Sequence, residues 1–253
     1  MLTDLKLAFR RLAQSPGFTT VALLTLAIGI GSATVIFAAV NALYLKPVPL
    51  IDRSLEPRLL HASQYNRAHG LDNLGWNYAD FASVRARMST LDGLIVQRDR
   101  TVIIAGRSEP ERVFGTEISW DGFSLFGVLP QLGRPFDLAD AEPKGPEVAL
   151  ISHALWQRRF AGDTGVIGRP VWIHDHAMTI VGVAPPDFYG TISHLAMDLW
   201  IPLTMQPVVG GSPYLLGERG VRWLAVFGRL LPGATLESAR ASAQAAGARL
   251  AAS

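Results

Sequence analysis

No charged residue stands between Arg11 and Lys46. The run between them, LAQSPGFTTVALLTLAIGIGSATVIFAAVNALYL, is apolar on every helical face. A helix that is hydrophobic all round is either buried in a large core or set in a bilayer. Ser15 stands at an N-cap position and Pro16 fits the first helical position, where a missing N–H costs nothing. No strong breaker follows until Pro47 and Pro49. That predicts a helix of about 30 residues, or about 45 Å. A bilayer's hydrocarbon core is about 30 Å thick. The helix must therefore tilt, or raise its C-terminal turns above the membrane.

The flanks predict an orientation. Lys6, Arg10 and Arg11 precede the run, whereas Lys46 follows it with Asp52 and Arg53 cancelling. Basic residues favour the cytoplasmic side, so the N-terminus is expected inside and the bulk of the chain outside. Leu2, Leu5, Phe9 and Leu12 recur at helical spacing, with the charges off that stripe. This predicts an amphipathic helix in residues 1–14, lying in the cytoplasmic interface against membrane lipid. The expected organisation is that helix, a transmembrane helix over 15–46, and an outer domain over 47–253.

Two lookalikes compete for the apolar run. Gly29 and Gly31 superficially match a dinucleotide loop, but no strand precedes them, as that fingerprint requires. The small pairs Ala27/Gly31 and Gly29/Ala33, each four residues apart, suit close helix packing in a membrane instead. A cleaved signal is the other lookalike, with small residues in VNA up to Ala42. A signal's apolar core spans only about 7–15 residues, far fewer than this run.

Beyond the run the composition is that of a globular domain, long enough for one large or two small cores. The basic residues through Lys46 outweigh Asp4 by more than the whole net charge of +2, so the remainder is slightly acidic. A nucleic-acid-binding domain should carry a basic stripe, and none is present. With 0 cysteines, disulfides and thiolate chemistry are excluded.

Short elements alternate along the outer segment. NYADFASVRARM predicts a helix capped by Asn77, with Tyr78, Phe81, Val84, Arg85 and Met88 on one side. GLIVQRDRTVIIAG predicts two strands around a polar turn near Asp99, and ERVFGTEIS a half-buried strand. WDGFSLFGV suggests a short helix under a tight turn, with a polar, proline-containing loop from Asp137 to Pro146. EVALI predicts a buried strand, and SHALWQRRF a helix capped by Ser152 with Arg158 and Arg159 on a solvated face. PVWIHDHAMTIVGVA predicts a hairpin turning at His174–His176; DLWIP and VRWLAVFGRL predict strands. A glycine-rich, linker-like stretch surrounds Val208–Gly220. Thr235 caps a last helix with Leu236, Ala239, Ala243, Ala246 and Leu250 on one stripe. The fold class expected is α+β, one N-terminal transmembrane helix followed by a mixed α+β domain.

Motifs for chemistry are missing. Lys6, Lys46 and Lys144 are the only lysines, and none ends a phosphate-binding glycine loop. ATP, if used, must be bound by another chain. His174 and His176 could aim two imidazoles one way, but polar residues belong at a hairpin tip and no third metal ligand is evident. Ser152, His153, His194 and Asp198 lack the sequence context of a hydrolytic triad. Neither catalytic, metal nor cofactor residues are expected, and the chain is not expected to be an enzyme. The tryptophans at 76, 120, 156, 172, 200 and 223 are expected as core anchors.

The opening DLKLAFRRLAQSPGFTTVALLTLAIGIGSATVIFAAVNALYLKPVP resembles the start of MacB/FtsX-type ABC transporter permeases. FGTEISWDGFSLFGVLPQLGRPF, VALISHALWQRRFAGDTGVIGRPVWI, MTIVGVAPPDFYG and FGRLLPGATLESARA resemble that family's periplasmic core domain, in order along most of the chain. The resemblance implies a permease half in the bacterial inner membrane, with its main domain periplasmic. It implies a cytoplasmic ABC ATPase partner, a homodimer in the full-length form, and in some members a periplasmic adaptor. It further implies that nucleotide-driven motion passes through the membrane helices as through levers. Departures are SLFGV, where a Phe-x-x-Leu-Gly-Val arrangement is usual, and histidines at the hairpin tip. The family's later membrane helices do not follow Ser253, so the domain is expected to be incomplete at its C-terminus. The alternative from another class is a single-pass, membrane-anchored extracytoplasmic binding or sensor domain.

Overall fold

The computed structural model describes residues 14–41, 58–62, 64–66, 71–105, 109–192, 195–209, 212 and 214–251. The chain divides into two compact units, Met1–Pro47 and Val48–Ser253. The amphipathic segment expected within residues 1–14 and the proline stop of the first helix lie outside the described residues.

The first unit holds helix α1, Pro16–Val40, long and apolar enough to cross a membrane. Its 25 residues span about 37 Å. Pro16 opens it as expected, and Ser15 takes the N-cap position without a side-chain capping bond. Its large side chains face outward: Phe18 is 72% exposed and Ile28 70%. The polar side chains serve themselves. The hydroxyls of Thr20, Thr25 and Thr34 each donate to the carbonyl four residues back, at 2.8 Å. Thr19 does the same to Ser15 at 3.0 Å. In hydrocarbon such internal bonds remove the penalty of an unmet hydroxyl.

The second unit is mixed. Strands β1 (Leu59–Ala62), β2 (Gln64–Asn66) and β3 (Leu71–Leu74) precede helix α2 (Tyr78–Arg85). Long strand β4 (Leu91–Ala105) and β5 (Glu111–Ile118) follow, then the one-turn α3 (Gly122–Leu125) and β6 (Leu132–Gly133). After β7 (Val148–Ile151), α4 (His153–Phe160), β8 (Pro170–Ile173), β9 (His176–Val183) and β10 (Leu199–Pro202), the chain returns through β11 (Ala225–Leu230) to α5 (Leu236–Ala251).

Among the described residues, all strands but the β2–β3 hairpin join one 9-stranded sheet. Part of it closes on itself. The second half of β4 pairs with β5, β5 with β10, β10 with β7, β7 with β9, β9 with β8, and β8 with the end of β4 at Ile104 and Ala105. Closure removes most exposed edges. The first half of β4 runs out of this barrel into an open sheet, pairing with β11, which pairs with β1.

Alternation along the strands sorts residues into separate cores. Val102, Ile104, Val113, Ile151, Ile173, Met178, Ile180, Leu199 and Ile201 fill the barrel, with Leu155 and Trp156 of α4 against them. Phe123, Phe126, Phe136, Phe188 and Trp200 pack outside it as an aromatic cluster with Ile95, Ile118 and Leu150. Phe81, Val84, Leu94, Val96, Leu224, Val226 and Ala246 form a third core where α2 and α5 cover the open sheet.

Most predicted elements are present. Asn77 caps α2 by accepting from the Asp80 amide at 2.8 Å, and Ser152 caps α4 by accepting from Leu155 at 2.9 Å. His174 makes the β8–β9 turn with a positive φ of 51°. Two expectations fail outright and one in part. QRDR at 97–100 is no turn: β4 runs straight through it for 15 residues. The solvated face expected of Arg158 and Arg159 holds for Arg158, which is exposed though paired, but not for Arg159, which is half-buried. Arg158 pairs with Glu111 at 2.8 Å and Asp198 at 3.0 Å, and Arg159 donates to the Ala105 carbonyl at 2.9 Å. The polar loop expected from Asp137 to Pro146 is present and holds a short 3-10 turn, Ala139–Ala141, organised by fully buried Asp140, which Arg134 grips at 2.6 and 2.9 Å. Trp172 is no core anchor, being 43% exposed, whereas Trp76, Trp156 and Trp200 are buried.

Candidate functional site

The small residues of α1 form two pairs one turn apart, Ala27/Gly31 and Gly29/Ala33, on roughly opposite sides of the helix. A Cβ built at Gly29 or Gly31 would meet nothing within 4 Å, so each glycine leaves an open notch in the helix surface. Ala27 and Ala33 are exposed on the same helix. Such notches let a second helix approach closely in a bilayer.

In the outer unit, polar chemistry concentrates where β4 passes from the open sheet into the barrel. Gln97, Arg98, Asp99 and Arg100 alternate between the faces, making both polar at one level. On the barrel-interior face, Glu117 of β5 is fully buried and accepts from Arg100 at 2.8 Å. Its second oxygen lies 3.8 Å from Arg98 Nη1, an ion pair too long for a hydrogen bond. Arg98 in turn lies over the Trp223 ring, 5.3 Å from its centre. On the opposite face, Asp99 accepts from Thr116 Oγ1 at 2.6 Å and from Gln97 Nε2 at 3.0 Å. Gln97 Nε2 also donates to Thr191. Burial pushes the Asp99 carboxyl above the usual carboxylate range, against the hydrogen bonds from Thr116 and Gln97.

A second feature is a cavity of about 260 Å³ between α2, α5 and the open sheet. Trp76, Val84, Met88, Leu91, Leu236 and Ala243 line it, with His61 at its wall. Burial lowers the His61 pKa. Thr235 caps α5 above it, accepting from the Ser238 amide at 3.1 Å. Ala239 and Ala246 of the expected stripe are buried, while Leu236 is 53% exposed at the mouth.

The residues that could be assembled into a triad are otherwise engaged. Ser152 is a helix cap, His153 Nδ1 bonds Gln131 at 2.7 Å, and Asp198 pairs with Arg158. Burial raises the Asp198 pKa, with Arg158 opposing. His194 lies outside the described residues. Among the described residues no three His, Asp or Glu side chains converge as a metal site; His174 and His176 stand without a third ligand. The sequence signal for the polar junction was the unbroken run QRDR inside an otherwise apolar stretch. Its charges disguised it as a turn.

Known folds match this arrangement. The periplasmic region of MacB from Actinobacillus actinomycetemcomitans superposes with a TM-score of 0.55 at 13% identity, over 73% of this chain and 78% of that one. The extracellular domain of the noncanonic ABC-type transporter YknZ from Gram-positive bacteria superposes with a TM-score of 0.51 at 15% identity, over 73% and 87%. No curated protein sequence matches the chain. Residues 19–246 match the family described as the MacB-like periplasmic core domain. The match runs from α1 through the barrel to α5, and by it the chain belongs to the MacB-like periplasmic core domain family of ABC transporter permeases.

Proposed function

We propose that the chain is the membrane permease component of an ABC transporter, coupling ATP hydrolysis by a partner subunit to export or envelope remodelling. In this reading it catalyses no reaction itself. A cytoplasmic ABC ATPase binds on the basic N-terminal side. The α1 helix carries the resulting motion across the inner membrane to the outer domain, and a second copy packs against the glycine notches. A periplasmic adaptor is a further partner. The observation that carries the reading is the family match, which runs across an exposed apolar helix and the outer domain together.

Two experiments test it. A reporter fused after Ser253 should be active only outside the cytoplasm; cytoplasmic activity would overturn the orientation. An ABC ATPase should co-purify with the native full-length gene product in lipid and hydrolyse ATP at a rate that depends on it. An unaffected ATPase would leave the anchored binding or sensor domain as the better description.

A further inference from the structure

The polar junction of β4 has a mechanical reading that is independent of transport. Among the described residues β4 is the one strand shared by the open sheet and the barrel, and its pairing thins between them. The ladder to β11 ends at Gln97, and the ladder to β8 begins at Ile104. Between those residues the named strands pair with β4 on its β5 side alone. At the start of this span the apolar filling is also interrupted. Leu94 and Val96 belong to the core under α2 and α5, and Val102 and Ile104 to the barrel. Arg98 and Arg100 stand between the two, on the same face.

The groups at this level are incompletely matched. Glu117 Oε2, Arg98 Nη1, Gln97 Oε1 and Trp223 Nε1 are buried without a hydrogen-bond partner among the described residues. Gln206, fully buried, lacks a partner for both amide atoms among the described residues. It follows the turn whose Leu203 joins one core and whose Met205 joins the other. Apolar cores are close-packed and resist deformation. A buried ion pair is commonly no more stabilising than apolar groups of the same size, so stability alone does not account for this one. Polar groups with spare valence can exchange partners, with one another or with water, as the backbone bends.

We infer that the level of Gln97–Arg100 and Gly115–Ile118 is a built-in flexure, about which the open sheet with α2 and α5 tilts against the barrel. The competing role for the same charges is to pin the β4–β5 register rigidly.

Amide hydrogen exchange on the full chain in lipid nanodiscs separates them. A flexure predicts that the β4–β5 amides of this level exchange at least about tenfold faster than those of Leu94–Val96 and Ile104–Ala105. Equal protection across the three segments would overturn it. The triple variant R98M, R100M and E117L should fold, melt at or above the wild-type temperature, and slow exchange at this level to that of its flanks. Unchanged exchange in a folded variant would also overturn the inference. Should the variant not fold, the wild-type exchange pattern alone decides.

Discussion

Phe123 is the single side chain on which the outer aromatic cluster depends. It is 1% exposed, and its ring meets three others: Phe136 edge-on at 6.1 Å, Trp200 edge-on at 5.4 Å and Phe188 tilted at 5.5 Å. Phe123→Ala removes the ring and leaves a cavity that Trp200 and Phe188, stacked on each other at 5.2 Å, cannot collapse into without breaking their own contact. Truncating such a residue costs about 3–5 kcal/mol. For a domain of this size each kcal/mol shifts the melting temperature by about 2–4 °C, so a drop of roughly 6–20 °C is expected. Phe123→Leu keeps most of the volume and should lose about half as much or less. All 6 tryptophans lie beyond α1, so tryptophan fluorescence on heating follows the outer domain without interference from the membrane helix. A shift under about 3 °C for the alanine variant would refute the view that these rings form one interlocked cluster.

Other consequences are as direct. Gly133 has a φ of +73°, and a Cβ there would lie 2.1 Å from the Val181 carbonyl oxygen; Gly168 at +85° has open space. Gly168→Ala should therefore cost about 1–2 kcal/mol from backbone conformation alone, and Gly133→Ala clearly more, as read by denaturant titration. Asp99 binds its proton more tightly folded than unfolded. Native stability then falls as pH rises from the usual carboxylate range through its raised value. Asp99→Asn should remove that part of the fall, and parallel pH–stability curves for the two proteins would contradict this. Gly29→Leu with Gly31→Leu should leave α1 helical and, by filling the notch on each side, weaken association between fluorescently labelled copies in vesicles; unchanged energy transfer would exclude both notches as contact faces.

The elements legible in the sequence were those whose signals are local. Ser152 and Asn77 announce helix starts because a cap bonds an amide only three residues on. The His174 turn was visible because two alternating runs flank a polar tip. β4 was misread because strand and turn were judged by polarity, and polarity at 97–100 reflects partners far along the chain. Glu117 lies 17 residues from Arg100, and Thr191 lies 94 from Gln97. The same holds for Asp140, whose buried carboxylate looked like loop solvation until Arg134 was placed over it. Arg134 and the Asp137 amide together outweigh burial and hold the Asp140 carboxyl below its usual range. Barrel closure was equally hidden, since a pairing of Ile104 with Ile173 leaves no trace in either segment.

That closure has a neighbour that constrains how the protein is made. Synthesis delivers residues in order from the N-terminus. The barrel strands from β5 to β10 follow one another closely and can assemble as they emerge. β1 cannot. Its ladder partner is β11, with Leu59 opposite Arg229, and the carbonyl that receives Arg58 belongs to Leu230, 172 residues away. Until β11 has been produced, β1 lacks its ladder partner, and the open sheet that it completes has no outer edge. Contacts this distant are slow to form. The barrel is thus expected to mature first. The open sheet should close later, when the returning strand β11 reaches β1.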